Sequence, residues 1–190
     1  MLMTDEKRDQ LAKIIAAPYI ALSTMAIYLA RRGTGNQFRH MAQTRNILID
    51  YGHIDAVLLK AALVHDLVED IPGFNHQLII NADQDGPDVY QLVLEVSRRP
   101  NETKPDFLKR ILHTGSDKAC LIKAADRIDN LHDIGFTTDY SFIKRYCLES
   151  EEYVLPISDR VDKDMSIEIR DLIASRRRLL DALESQAGGR

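Results

Sequence analysis

The chain has 190 residues, 45% of them hydrophobic and 28% charged, enough for one well-buried globular domain over residues 1–190 but not for several large ones. A formal net charge of −4 without any long basic run argues against a broad nucleic-acid or membrane-surface footprint. The two cysteines, Cys120 and Cys147, lack CxxC spacing, so reduced core thiols in a cytoplasmic protein are expected and no disulfide is implied.

In chain order, Met1 to Lys13 is charged where a secretory signal would be apolar. Thr4 can cap a first helix whose first turn carries Asp5 and Glu6, where anions suit the helix dipole. Ala16 to Ala30 is interrupted by Pro18, Ser23 and Thr24 and is shorter than the roughly 20 residues of a membrane span, so it reads as a core helix. That helix, about Tyr19 to Arg32, is expected to stop at Gly33 and Gly35. The next, about Gln37 to Tyr51, places His40 among Met41, Thr44, Ile47 and Leu48 on an apolar face. Asp55 can cap a central helix that runs to the Pro72-Gly73 turn.

Asn75 opens a short helix, and Asp83-Gln-Asp-Gly-Pro87 is the most loop-like stretch. Pro87 begins a helix to about Ser97, the polar loop Arg98 to Thr103 follows, and Pro105 opens a helix that closes at Gly115. Ser116 caps a helix from Asp117 to Ile134, and two more are expected at about Asp139 to Leu155 and Ser158 to Leu183. With no alternating strand and no repeat, the fold class is all-α, a bundle of roughly eight to ten helices.

The central segment is electrostatically anomalous. Nearly every position from Ala56 to Val68 is apolar, yet His65, Asp66, Glu69 and Asp70 interrupt it, and at roughly 100° per residue they share one helical face. Buried charge costs several kcal/mol unless it is paired or binds a metal, so a compensating cation is required. His40, His65 with Asp66, and Asp126 on the later helix offer imidazole and carboxylate ligands. That donor set suits Mn²⁺, Fe²⁺, Co²⁺, Zn²⁺ or Mg²⁺. Such an ion acidifies a water toward neutral pH, which is hydrolase chemistry. Glu69, one turn beyond His65, is close enough to take a proton from that water or to orient a ligand.

The pattern His40, His65-Asp66, Asp126 resembles the H...HD...D signature of the HD-domain metal-dependent phosphohydrolases. The finer resemblance is to the hydrolase domain of the RelA/SpoT-like alarmone enzymes, including the small stand-alone members. Their HDxxED motif is similar to His65-Asp66-Leu67-Val68-Glu69-Asp70, and their ADRxxN helix to Ala125-Asp126-Arg127-Ile128-Asp129-Asn130. The likeness covers about residues 20 to 157. It implies an HD-domain bundle around a metal site and Mn²⁺-dependent removal of the 3'-pyrophosphate from guanosine tetra- or pentaphosphate. It also implies that His40, His65, Asp66 and Asp126 hold the metal, that Glu69 and Asp70 position and deprotonate the attacking water, and that Asn130 contacts the nucleotide. One departure is local: Asn36-Gln-Phe-Arg-His-Met41 lacks the proline that follows the first histidine in the family.

A pyrophosphate needs cations around it, and the candidates are Arg31, Arg32, Arg98, Arg99 and Lys123. Two other functions share these residues: an HD phosphohydrolase of another nucleotide or small phosphate ester, and a nucleotide sensor that does not turn over. The Glu69-Asp70 pair speaks against the sensor. Expected partners are a nucleotide substrate but neither nucleic acid nor membrane, and self-association is compatible with the chain. His53, His76, His113 and His132 are expected at the surface or at helix ends.

Overall fold

In the computed structural model, which describes residues 4–15, 18–29, 36–134 and 139–188, no β-strand occurs among the described residues and ten α-helices among them are longer than four residues. The all-α expectation is met. The elements are α1 (Asp5–Ile15), α2 (Tyr19–Ser23), α3 (Gln37–Asp50), α4 (Ala56–Val64), α5 (Leu67–Asp70), α6 (Gln77–Ile80), α7 (Gly86–Val96), α8 (Lys104–Thr114), α9 (Asp117–Asp133), α10 (Tyr140–Glu149), α11 (Leu155–Val161) and α12 (Lys163–Gly188).

Local chemistry sets most of the helix starts. Asn36, Asp55, Thr103, Ser116 and Asp139 each accept from the backbone N–H three residues on, at 2.9–3.3 Å, and so satisfy one orphan donor of the first turn. Pro87 and Pro105 sit in first turns, where their missing N–H is harmless. Gly86 marks a close approach: a Cβ there would lie 2.6 Å from the Ile79 carbonyl oxygen.

Besides the central helix, which is interrupted after Val64, three helices differ from their expected extents. The α2 helix ends at Ser23 and continues as a 3₁₀ turn over Thr24–Ala26 instead of reaching Arg32. Ser23 Oγ and Thr24 Oγ1 donate to the carbonyls of Ile20 and Ala21 at 2.8 and 2.6 Å, offering the backbone an alternative to helix propagation. The Gly33 and Gly35 stop lies outside the described residues. The α10 helix does not end ahead of Pro156 but passes through a π-helical turn, Ser150–Val154, directly into α11. The last expected helix breaks at Asp162, whose carboxylate caps α12 by accepting from the N–H groups of Asp164 and Met165.

The hub is α9. Helices α3, α7, α11 and α12 all pack on it, and eleven of its residues are buried. Ile122, Ile128 and Leu131 are sealed almost completely, each worth roughly 1.5–3 kcal/mol of burial. Helix α4 lies between α3 and α7 and is buried at every position from Leu58 to Val64. That run includes Lys60, whose ammonium meets Asp83 at 2.7 Å and Asp85 at 2.5 Å beneath the Tyr19 ring. The paired charge makes its burial tolerable and pins the loop before α7 to the core. Cys120 and Cys147 are free and buried, as expected of core thiols, and burial pushes the Cys120 thiol up to about 11.

Candidate metal centre and its cleft

Helices α3, α4 and α9 each deliver one residue to a common point. His40 comes from the first turns of α3, His65 caps the end of α4, and Asp126 sits midway along α9. All three are buried, and one donor atom from each lies within 4.8 Å of the others. Asp66 is the fourth: its carboxylate is 3.1 Å from His65 Nε2 and 3.5 Å from His40 Nε2. His40 Nε2 is 3.1 Å from Asp126 Oδ1. Ligands held about 2.1 Å from one ion lie about 3–4 Å apart, so the spacings suit a single divalent ion.

The shared face arises differently from the expected one. Neighbouring residues on a continuous helix point about 100° apart and do not face each other. Here the central helix is interrupted: α4 ends at Val64, Asp66 takes the bridge conformation (φ −94°, ψ −9°), and α5 restarts with Leu67. The interruption lets the adjacent His65 and Asp66 side chains meet.

Hydrogen bonding decides which imidazole atoms face the centre. Nδ1 of His65 lies 2.9 Å from the Ala62 carbonyl oxygen, and Nδ1 of His40 lies 2.6 Å from Asp129 Oδ2. A carbonyl and a carboxylate only accept, so both Nδ1 atoms donate and both Nε2 atoms are left toward the centre. His65 Nε2 is fully buried and has no hydrogen-bond partner. An orphaned imidazole nitrogen beside two carboxylates is what a metal ligand looks like without its ion, so the residues present fit a divalent metal.

The electrostatics agree. Burial opposes a charge on His40, but Asp126 and Asp129 outweigh it and raise the imidazole to about 9. Burial would raise Asp126 too, yet Lys123 and the two histidines hold it well below the carboxylate range. Lys123 Nζ is 2.5 Å from Asp126 Oδ2, and Asn130 donates to both the Asp126 carbonyl, at 2.9 Å, and its carboxylate. Gln37 donates to Asp66. In the metal-free protein these groups and the doubly protonated His40 offset the carboxylates.

Beside this point opens a cleft of about 310 Å³, lined by acids and cations that meet one another. Glu69 is at its edge, held by Arg98 through the backbone N–H at 3.2 Å and the guanidinium at 3.3 Å. Asp70 also lines it, its carboxyl pushed up to about 6 by burial and by the charges of Asp66 and Glu69. Lys104, Lys123 and Arg127 line it as well. Arg127 is sealed in the core, stacked 3.9 Å over the Tyr146 ring and bonded to Glu149 and Ser150 at 2.6 and 2.8 Å. Lys104 also meets Glu149, at 3.1 Å, but keeps 44% of its side chain exposed.

Of the residues expected from sequence, His40, Asp66, Glu69, Asp70, Arg98, Lys123, Asp126 and Asn130 line the cleft, and His65 backs it. Arg99 does not: its backbone bonds Glu102, and it lines a separate depression with Gln91, Glu95 and Arg110. One residue beyond Arg98 on an extended loop, it faces the other way. Arg31 and Arg32 lie outside the described residues. Gln37, Lys104 and Asp129 were not anticipated. Gln37 and Asp129 are each three residues from a ligand, a helical spacing that could have flagged them, whereas nothing around Lys104 distinguishes it from a solvated loop lysine. His53, His76 and His132 instead pair with Asp162, Tyr90 and Glu168, and His113 is exposed, all four away from the cleft as expected.

No family model and no curated protein matches the sequence. Among solved structures, the chain is similar to a metazoan orthologue of SpoT, described as hydrolysing ppGpp and acting in starvation responses. The match has a TM-score of 0.68 and 22% sequence identity, over 93% of this chain and 98% of that one. Across nearly its whole length, therefore, the chain has the all-α fold of that SpoT orthologue.

Proposed function

We propose that the protein is a divalent-metal-dependent phosphohydrolase of nucleotides, with guanosine 3',5'-bis(diphosphate) as the substrate to test first. The observation that carries this reading is the pair of imidazoles locked with Nε2 inward, one of them buried without a hydrogen-bond partner, beside two carboxylates and a cleft lined by acids and cations. His40, His65, Asp66 and Asp126 would hold the ion, with Mn²⁺ the first choice. When bound, it would polarise a phosphate oxygen and acidify a water.

The remaining steps belong to the chain. Glu69, fixed by two contacts to Arg98, is the base that takes the proton of the attacking water, and Asp70 orients that water. Arg98 and Lys104, which line the cleft and keep nearly half of each side chain exposed, receive phosphate oxygens and offset the charge of a pyrophosphate leaving group. Lys123 and Asn130 orient Asp126, and Asn130 also reaches the cleft for the nucleotide. The fold shared with a ppGpp-hydrolysing protein supports the choice of substrate. Two free buried thiols, and the lack among the described residues of any helix long and apolar enough to cross a membrane, are compatible with cytoplasmic work.

The test is a panel of nucleotides incubated with Mn²⁺-loaded protein. Pyrophosphate release from the guanosine tetra- and pentaphosphates supports the proposal. Inorganic phosphate from nucleoside monophosphates alone would reassign the substrate, and tight binding without release would make the protein a sensor.

A further inference from the structure

The two histidines of the centre are held in unlike ways. His65 leans on a backbone carbonyl, a neutral acceptor present whatever the side chain there. His40 leans on Asp129, a carboxylate with only 7% of its residue surface exposed, at 2.6 Å. Asp129 is three residues beyond Asp126 on α9, so one helix supplies both a direct carboxylate for the centre and a carboxylate behind one of its imidazoles. Burying the second carboxylate is costly, and its short charge-assisted bond to the ring recovers part of that cost.

We infer that Asp129 is a positioning residue of the metal centre: through His40 Nδ1 it fixes the tautomer and plane of that ring and strengthens Nε2 as an electron-pair donor to the ion. This rests on the proposed metal-dependent function and adds to it the residue that distinguishes His40 from His65. Asp129 meets His40 at Nδ1, the ring atom turned away from the centre, and so acts through the imidazole. Asp133, one turn further along α9, borders the same groove as Asp129 but does not line the cleft beside the metal centre, and serves as a control of equal charge.

The experiment measures Zn²⁺ and Mn²⁺ affinity by competition with a chelator in wild-type, Asp129→Asn and Asp133→Asn full-length protein. It also follows imidazole nitrogen resonances in ¹⁵N-histidine-labelled, Zn²⁺-loaded wild type. Affinity is expected to weaken 10–100-fold in Asp129→Asn and by less than twofold in Asp133→Asn, with restoration toward wild type in Asp129→Glu. In the wild type, His40 is expected to bind Zn²⁺ through Nε2 and carry a proton on Nδ1, a readout needing no variant should Asp129→Asn fail to fold. Ligation through Nδ1, or equal affinities in the two asparagine variants, overturns the role of Asp129 and leaves the metal centre standing. A wild type that binds no divalent ion overturns both.

Discussion

The raised pKa of His40 makes opposite predictions for the metal-free and the metal-bound protein, and pH is the perturbation. In the unfolded chain the imidazole titrates near 6.5; in the folded, metal-free protein Asp126 and Asp129 raise it to about 9 against the pull of burial. Because the folded value is the higher one, the stabilisation is fully present below pH 6.5 and is lost as pH rises through 9. At 1.36 kcal/mol per unit, the whole shift is worth roughly 3 kcal/mol. Urea unfolding of chelator-treated protein between pH 6.5 and 9.5 should therefore show stability falling by about that amount, and His40→Asn should remove most of the slope. Divalent-metal affinity should move the other way. The ion needs the bare Nε2, so each binding event below pH 9 expels a proton and affinity should rise up to tenfold per pH unit. Flat metal-free stability over this range, or a pH-independent affinity, would refute the electrostatic account of the centre.

Other outcomes follow from single contacts. Asp66→Ala should abolish tight metal binding, whereas Glu69→Gln should keep the metal and lower kcat by 10²–10⁴-fold; a fully active Glu69→Gln would remove Glu69 from the base role. Lys104→Ala should cost about 1.5–3 kcal/mol of phosphate binding, seen as at least a tenfold rise in KM, while Arg99→Ala, in its separate depression, should leave kinetics unchanged. Arg127→Met leaves Glu149 to Lys104 alone and removes the bond to Ser150 and the stacking on Tyr146, and should destabilise the fold by about 1–3 kcal/mol in denaturant titrations, with or without metal. Gly86→Ala forces a Cβ against the Ile79 backbone, and a loss of about 1–3 kcal/mol is expected in the same assay.

Much of the architecture was legible locally. Asp55, Ser116 and the first-turn prolines mark helix starts by chemistry that acts within three residues, and the observed starts agree. The errors are those local signals invite. At Ser23 and Thr24, hydroxyl groups compete for backbone carbonyls, and the apolar pattern gives no hint of it. Around Pro156 the chain continues through a π turn, because its missing N–H falls in the first turn of α11. The central segment reads as one helix with four ionisable groups on a face, yet the face exists because the helix breaks at Asp66.

By itself the sequence determined the helical class and marked His40, His65, Asp66 and Asp126 as candidate ligands, because an imidazole or acid in an apolar helix is visible as an energetic cost wherever its partners lie. Which groups turn toward those ligands was decided only by tertiary structure. Asp129 reaches His40 across 89 positions of chain, and Lys104, at the start of α8, enters the cleft while Arg99, in the loop before it, leaves it. Such choices depend on how α3, α8 and α9 pack, and on a loop direction that reverses from one residue to the next. Composition and periodicity carry no record of either, since a buried second carboxylate and a solvated one look the same until the opposing helix is in place.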